Sequence, residues 1–74
     1  MSKHEQLIHT MADITGIDEN EITMATTMDE LGLDSLDSVG LTLDLEDQFR
    51  IDLDEREVNQ CATLGEIYQL INKQ

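Results

Sequence analysis

The sequence predicts an all-α fold of four helices, the third of them short. Three observations carry this. Apolar residues recur at three- and four-residue spacings instead of alternating. No proline interrupts the chain. Capping patterns, in which Ser, Thr or Asp is followed three residues later by an acid, stand where the periodic stretches begin. Ser2 with Glu5 opens the first helix, whose stripe of Leu7, Ile8, Met11 and Ile14 faces the core and which stops near Gly16. From Ile17 to Leu33 the periodicity fades into a long loop, pinned by Ile22, Met24, Met28 and Leu31, with Thr27 and Glu30 capping a short turn. The second helix spans about Ser35 to Phe49 and a brief third one Asp54 to Gln60. Thr63 with Glu66 starts the last, whose apolar face is Leu64, Ile67, Tyr68 and Ile71.

With 74 residues the chain reads as one domain, residues 1–74. A domain of that size buries only about 60% of its unfolded surface, so its stability margin is modest. Seventeen acidic against four basic side chains leave a formal charge of −13. That charge repels nucleic acid and anionic membranes and attracts basic protein surfaces. The single cysteine closes no internal disulfide, and the N-terminus has no apolar run of the kind a secretion signal or membrane span needs. A reducing, cytoplasmic compartment and a monomer without membrane insertion are the expectation.

The second helix carries two apolar stripes. At about 100° per residue, Leu41, Leu45 and Phe49 fall on one side, while Leu36, Val39 and Leu43 cluster nearly opposite. Only one side can face so small a core. Asp37, Gly40, Asp44, Glu46 and Asp47 rim the second stripe, and these acids are too costly to bury unpaired. The stripe therefore reads as a docking surface. Gly40, costly inside a helix, would let a partner approach the backbone closely.

Ahead of that helix runs Leu31-Gly32-Leu33-Asp34-Ser35-Leu36-Asp37-Ser38. Asp34 caps the helix, with Asp37 three residues on, and this leaves the Ser35 hydroxyl in the first turn near solvent. Free N–H groups and a partial positive charge at that end suit a phosphate ester on Ser35. An isolated Asp-Ser-Leu is better read as an ordinary helix start, because Ser and Asp are favoured there. Other constellations carry no chemistry. Arg56 breaks the calcium-loop pattern that Asp52 and Asp54 begin, and no glycine follows at the required offset. His4 and His9 have no companions at zinc spacing, so no metal is expected. Ser35 has no histidine nearby in sequence to activate it, which makes the chain a substrate and not a catalyst.

The stretch from Asp34 to Phe49 resembles the modification site of acyl carrier proteins. These are acidic four-helix domains of this length, with a long first loop and a Gly-x-Asp-Ser-Leu-x-Ser/Thr-Val stretch. The resemblance covers nearly the whole chain without evident gaps. Gly32, Asp34, Ser35, Leu36, Asp37, Val39, Leu41, Leu45, Glu46 and Phe49 occupy the family's characteristic positions, and Thr63, Leu64 and Ile71 fit its last helix. It implies that a phosphopantetheinyl transferase moves 4′-phosphopantetheine from coenzyme A to Ser35, and that acyl groups then ride on the arm's thiol in fatty acid, polyketide or related lipid biosynthesis. Ser38 lacks the flanking Asp and Leu and stands where the family often has Thr. The resemblance further implies that Asp34, Leu36, Val39, Leu43, Glu46 and Asp47 meet partner enzymes, the rimmed stripe already described. It also implies that Leu45, Val58 and Cys61 line an acyl cavity between the second and third helices.

Two departures stand out. Gly40 occupies a position where many fatty-acid carriers have Glu, and Leu53-Asp54 one where they often have Ile-Pro. Both favour a dedicated carrier over the housekeeping one. Two alternatives stay open: an aminoacyl or peptidyl carrier, against which Asp34 before Ser35 argues, and a phosphorylation-regulated interaction module with no arm.

Overall fold

In the computed structural model, which describes residues 2–73, three of the four helices, and the 3-10 turn that leads into the other, begin where a side chain takes up a free backbone N–H group. Helix α1 (Lys3–Thr15) is capped by Ser2, whose hydroxyl accepts from the Glu5 N–H at 3.2 Å, and closes at Gly16 in the left-handed conformation, φ 77°. Helix α2 (Ser38–Phe49) is led in by a 3-10 turn, Ser35–Asp37. Asp54 caps α3 (Glu55–Gln60), and Thr63 caps α4 (Leu64–Asn72). The second helix is thus α-helical only from Ser38. Across the Ser35–Asp37 turn the Asp34 and Asp37 side chains bond back to each other's segment, and the backbone tightens to i+3 bonding.

The core is drawn from all four helices and the loop. Leu7 and Met11 of α1, Leu45 of α2, and Leu64, Ile67 and Ile71 of α4 are fully buried. Leu41 of α2, Val58 of α3 and Ile22 and Leu31 of the loop complete it. Ile14 departs from the expected α1 stripe. It lies in the last turn, 37% exposed in a shallow groove that it shares with Asp44 and Gln48 of α2. Ile8 is half-buried against the core.

The long loop is ordered by backbone bonds. A 3-10 turn at Glu19–Glu21 follows α1, and the Thr27–Glu30 cap forms in both directions, Glu30 N–H to Thr27 Oγ1 at 3.1 Å and Thr27 N–H to Glu30 Oε1 at 3.0 Å. Those bonds, the backbone N–H first, hold the Glu30 carboxyl below its ordinary range. Met28 N–H donates to Ala62 O, Leu64 N–H to Thr26 O and Gly65 N–H to Met24 O, at 2.8–2.9 Å. The loop is stitched to the start of α4, and its end is carried to Ser35.

Candidate functional site

The site begins at Gly32, whose left-handed backbone (φ 75°) turns the chain out of the loop toward Asp34. Asp34 Oδ1 accepts from the Leu36 N–H at 2.9 Å, and Asp37 Oδ2 accepts from the Asp34 N–H at 3.0 Å. This reciprocal box fixes the turn that presents Ser35. The Ser35 hydroxyl is exposed and has no hydrogen-bond partner among the described residues. Ser38, one turn on, differs. It is 4% exposed, and its hydroxyl donates to Asn59 Oδ1 of α3 at 2.8 Å.

Ser35 stands on the wall of an open cleft of about 570 Å³. Asp34, Ser38 and Leu41 line it from the α2 side, Val58, Asn59 and Cys61 from α3, and Met28 and Leu33 from the loop. Of the three residues expected to line an acyl cavity, Val58 and Cys61 lie on this cleft. Leu45 is sealed in the core and does not reach the cleft. Asn59 was not singled out by the sequence. A polar residue in a polar, six-residue helix carries no periodic signal, and only the approach of α3 to α2 pairs it with Ser38.

On the outer face of α2 and the turn that leads into it, Leu36 is 88% exposed, Leu43 59% and Val39 51%. The opposite stripe packs inward, with Leu41 and Leu45 buried and Phe49 half-buried. The acids around the exposed stripe divide by occupation. Asp34 and Asp37 are spent on the turn, and Glu46 Oε2 reaches across to accept from the Leu53 N–H at 3.0 Å, clamping the α2–α3 loop. Asp44 and Asp47 are exposed, with no partner among the described residues. Gly40 is exposed, and a Cβ added there would have nothing within 4 Å.

Cys61 Sγ bonds to Glu57 O at 3.3 Å. Burial, aided by the negative charges of Glu66 and Glu57, pushes its thiol up to about 11. It is therefore protonated, and a poor nucleophile, at neutral pH. His4 packs edge-on against the Tyr68 ring, centroids 5.7 Å apart, and His9 lies between Asp13 and Glu19. Among the described residues no three potential ligands gather as a metal site, and no helix is long and apolar enough to cross a membrane.

The donor set fits a phosphate ester on one exposed hydroxyl whose flanking carboxylates are held back by N–H groups. The family model for the phosphopantetheine attachment site matches residues 5–71. An acyl carrier protein of Thermotoga maritima is 33% identical over 78 aligned residues, with 99% of this chain and 96% of the relative covered. That alignment is longer than the chain, so the likeness to this relative is not free of gaps. A family model that spans almost the whole helical bundle, and a relative matched nearly end to end, make this chain a member of the acyl carrier proteins, which hold cargo on covalent phosphopantetheine and are not themselves catalysts.

Proposed function

We propose that Ser35 Oγ is the atom that takes the phosphopantetheine. One observation carries the choice: within the motif, the Ser35 hydroxyl is exposed and unbonded at the cleft, whereas the Ser38 hydroxyl is buried and committed to Asn59. The arm supplies a terminal thiol that holds acyl groups as thioesters. The chain supplies position. The Asp34–Asp37 box holds the turn, the cleft between α2, α3 and the loop receives the cargo, and the protonated Cys61 thiol does not compete for it.

The exposed Leu36, Val39 and Leu43, with Asp44 and Asp47 beside them, form the surface that meets the transferase and basic-surfaced synthase or acyl-transferring enzymes. Asp34, Asp37 and Glu46 border that surface while serving the fold. We read residues 1–74 as one monomeric carrier domain of a reducing, cytoplasmic compartment, serving fatty acid, polyketide or related lipid assembly. The open space at Gly40 favours a dedicated pathway. An aminoacyl or peptidyl carrier would use the same serine.

Coenzyme A and a broad-specificity phosphopantetheinyl transferase should add one phosphopantetheine by intact mass. Ser35→Ala should abolish the gain. Ser38→Ala should keep it while costing about 1 kcal/mol of stability through the lost bond to Asn59. Modification that survives in Ser35→Ala, or no gain in the unaltered protein, sinks the assignment.

A further inference from the structure

A groove between α1 and α2 is left unused by the carrier chemistry. It measures about 300 Å³ and is lined by His9, Thr10, Asp13 and Ile14 of the first helix and by Asp44 and Gln48 of the second. Its apolar part is Ile14, which the sequence periodicity assigns to the core and which stands exposed here. Thr10 adds no free hydroxyl, because its Oγ1 donates to Gln6 O at 2.8 Å. His9 Nε2 lies 3.6 Å from Asp13, and its other ring nitrogen is bonded to Glu19. Asp44 is different. It is exposed with no partner among the described residues, so the groove offers an apolar side chain beside an uncompensated carboxylate.

The groove is continuous with the exposed stripe of α2. At about 100° per residue, Gly40 and Asp44 lie on one side of the helix, a turn apart, between Val39 and Leu43 on the outside and Leu41 and Leu45 on the inside. The groove lining shows that this side is turned to α1, whereas Ser38 is turned to α3. A Cβ at Gly40 would meet nothing within 4 Å, so the way from the stripe to the groove is unobstructed. Charge and shape set what fits there. A side chain crossing from the stripe must end in a cation to answer Asp44 in a chain of charge −13, and must carry an apolar stem to cover Ile14. Arginine has both, and its planar fork pairs with a carboxylate through two N–H groups at once.

We propose that the α1–α2 groove seats an arginine of a partner protein docked on the α2 stripe, with its guanidinium on Asp44, its stem on Ile14 and its path open at Gly40. This rests on the reading of Leu36, Val39 and Leu43 as a docking surface, and it adds a second anchor beyond Gly40. An enzyme that carries such an arginine is selective for a carrier with a small residue at this point, since a bulky side chain would block the path.

The probe is Nα-acetyl-leucyl-arginine amide, whose leucine suits the stripe and whose arginine suits the groove, titrated at low salt into the whole chain with carbon-13-labelled methyl groups. Its citrulline counterpart keeps the shape and lacks the charge. For the arginine form the Ile14 Cδ1 methyl should shift and saturate together with the Val39 and Leu43 methyls, and for the citrulline form it should stay in place. Asp44→Asn should weaken binding about two- to fivefold, the worth of one exposed ion pair, and the loss should shrink as sodium chloride is added. Gly40→Val should remove the Ile14 shift and leave that of Leu43. Both positions are exposed, and the methyl spectrum itself reports that each variant is folded. Three results overturn the inference and leave the docking stripe standing: Val39 and Leu43 shift while Ile14 does not, citrulline moves Ile14 as far as arginine does, or either variant binds as the unaltered chain does. If neither Ile14 nor the stripe moves, both readings fall.

Discussion

Gly40 stands in the interior of α2, facing solvent, where a Cβ would touch nothing. Gly40→Ala should stabilise the fold by about 0.5–1 kcal/mol in a denaturant titration, because alanine loses less backbone entropy in a helix. If the missing side chain lets a partner approach beside Val39 and Leu43, the variant should accept phosphopantetheine at the normal rate but turn over more slowly with its own pathway enzyme. Should Gly40→Ala and Gly40→Glu both match the unaltered protein there, the glycine is incidental and the dedicated-carrier reading loses its support. His9 offers a second residue-scale test. Its ring bonds to Glu19 at 2.5 Å and lies 3.6 Å from Asp13, and the Glu19 bond, then the Asp13 charge, raise its pKa above the ordinary 6.5. A raised folded-state pKa means that the contact stabilises fully below about pH 6.5 and fades as pH climbs through the folded value. An NMR titration should find the shift, and Glu19→Gln should shrink it and flatten the stability difference between pH 6 and pH 8. A His9 titrating at 6.5 in the unaltered protein refutes it.

At the scale of elements, α2 divides its labour by face. Leu41 and Leu45 hold the core, Ser38 holds α3, Glu46 holds the loop that follows, and Leu36, Val39 and Leu43 are left outside. Asp47 has no structural task among the described residues, so reversing its charge separates docking from folding. Asp47→Lys should slow phosphopantetheine transfer a few-fold through association, with the gap closing at high ionic strength. Equal rates at low salt remove Asp47 from the docking face. The two stripes of α2 were legible from spacing alone. The employment of Glu46 was not, because its partner, the Leu53 N–H, lies beyond the end of the helix in a loop without periodicity. The 3-10 lead-in was likewise hidden: the Asp34–Asp37 pattern announces a helix start but not which residue first takes α geometry.

For the molecule as a whole, charge is the dominant liability. Among the described residues the ion pairs are His9 with Asp13 and Glu19, and Arg56 with Asp54 at 3.6 Å, all at the surface, against a formal charge of −13. Exposed pairs of this kind contribute little. Millimolar magnesium or calcium should therefore raise the Tm by diffuse binding, and added sodium chloride should do part of the same. Relief worth about 1 kcal/mol would read as roughly 4–8 °C in a domain of this size. A flat melting temperature across both series would mean that the acids are already compensated.

What the sequence determined by itself is what short-range chemistry writes. Caps at Ser2, Thr27, Asp34, Asp54 and Thr63 satisfy N–H groups two or three residues away, so their type and spacing announce the helix and turn starts. The apolar periods name most of the core, and the Asp34-Ser35-Leu36 motif names the candidate serine. Only the tertiary structure decided how far each stripe reaches and which polar groups find partners. Ile14 is left exposed in the groove it shares with Asp44 and Gln48, and Leu45 is sealed away from the cleft that Val58 and Cys61 line. Ser38 is buried because Asn59, 21 residues away, is brought against it. Thr42 is left buried with its hydroxyl unpaired among the described residues. Hydrogen-bond partners distant in the chain are set by which helices pack together, and no local pattern records that choice.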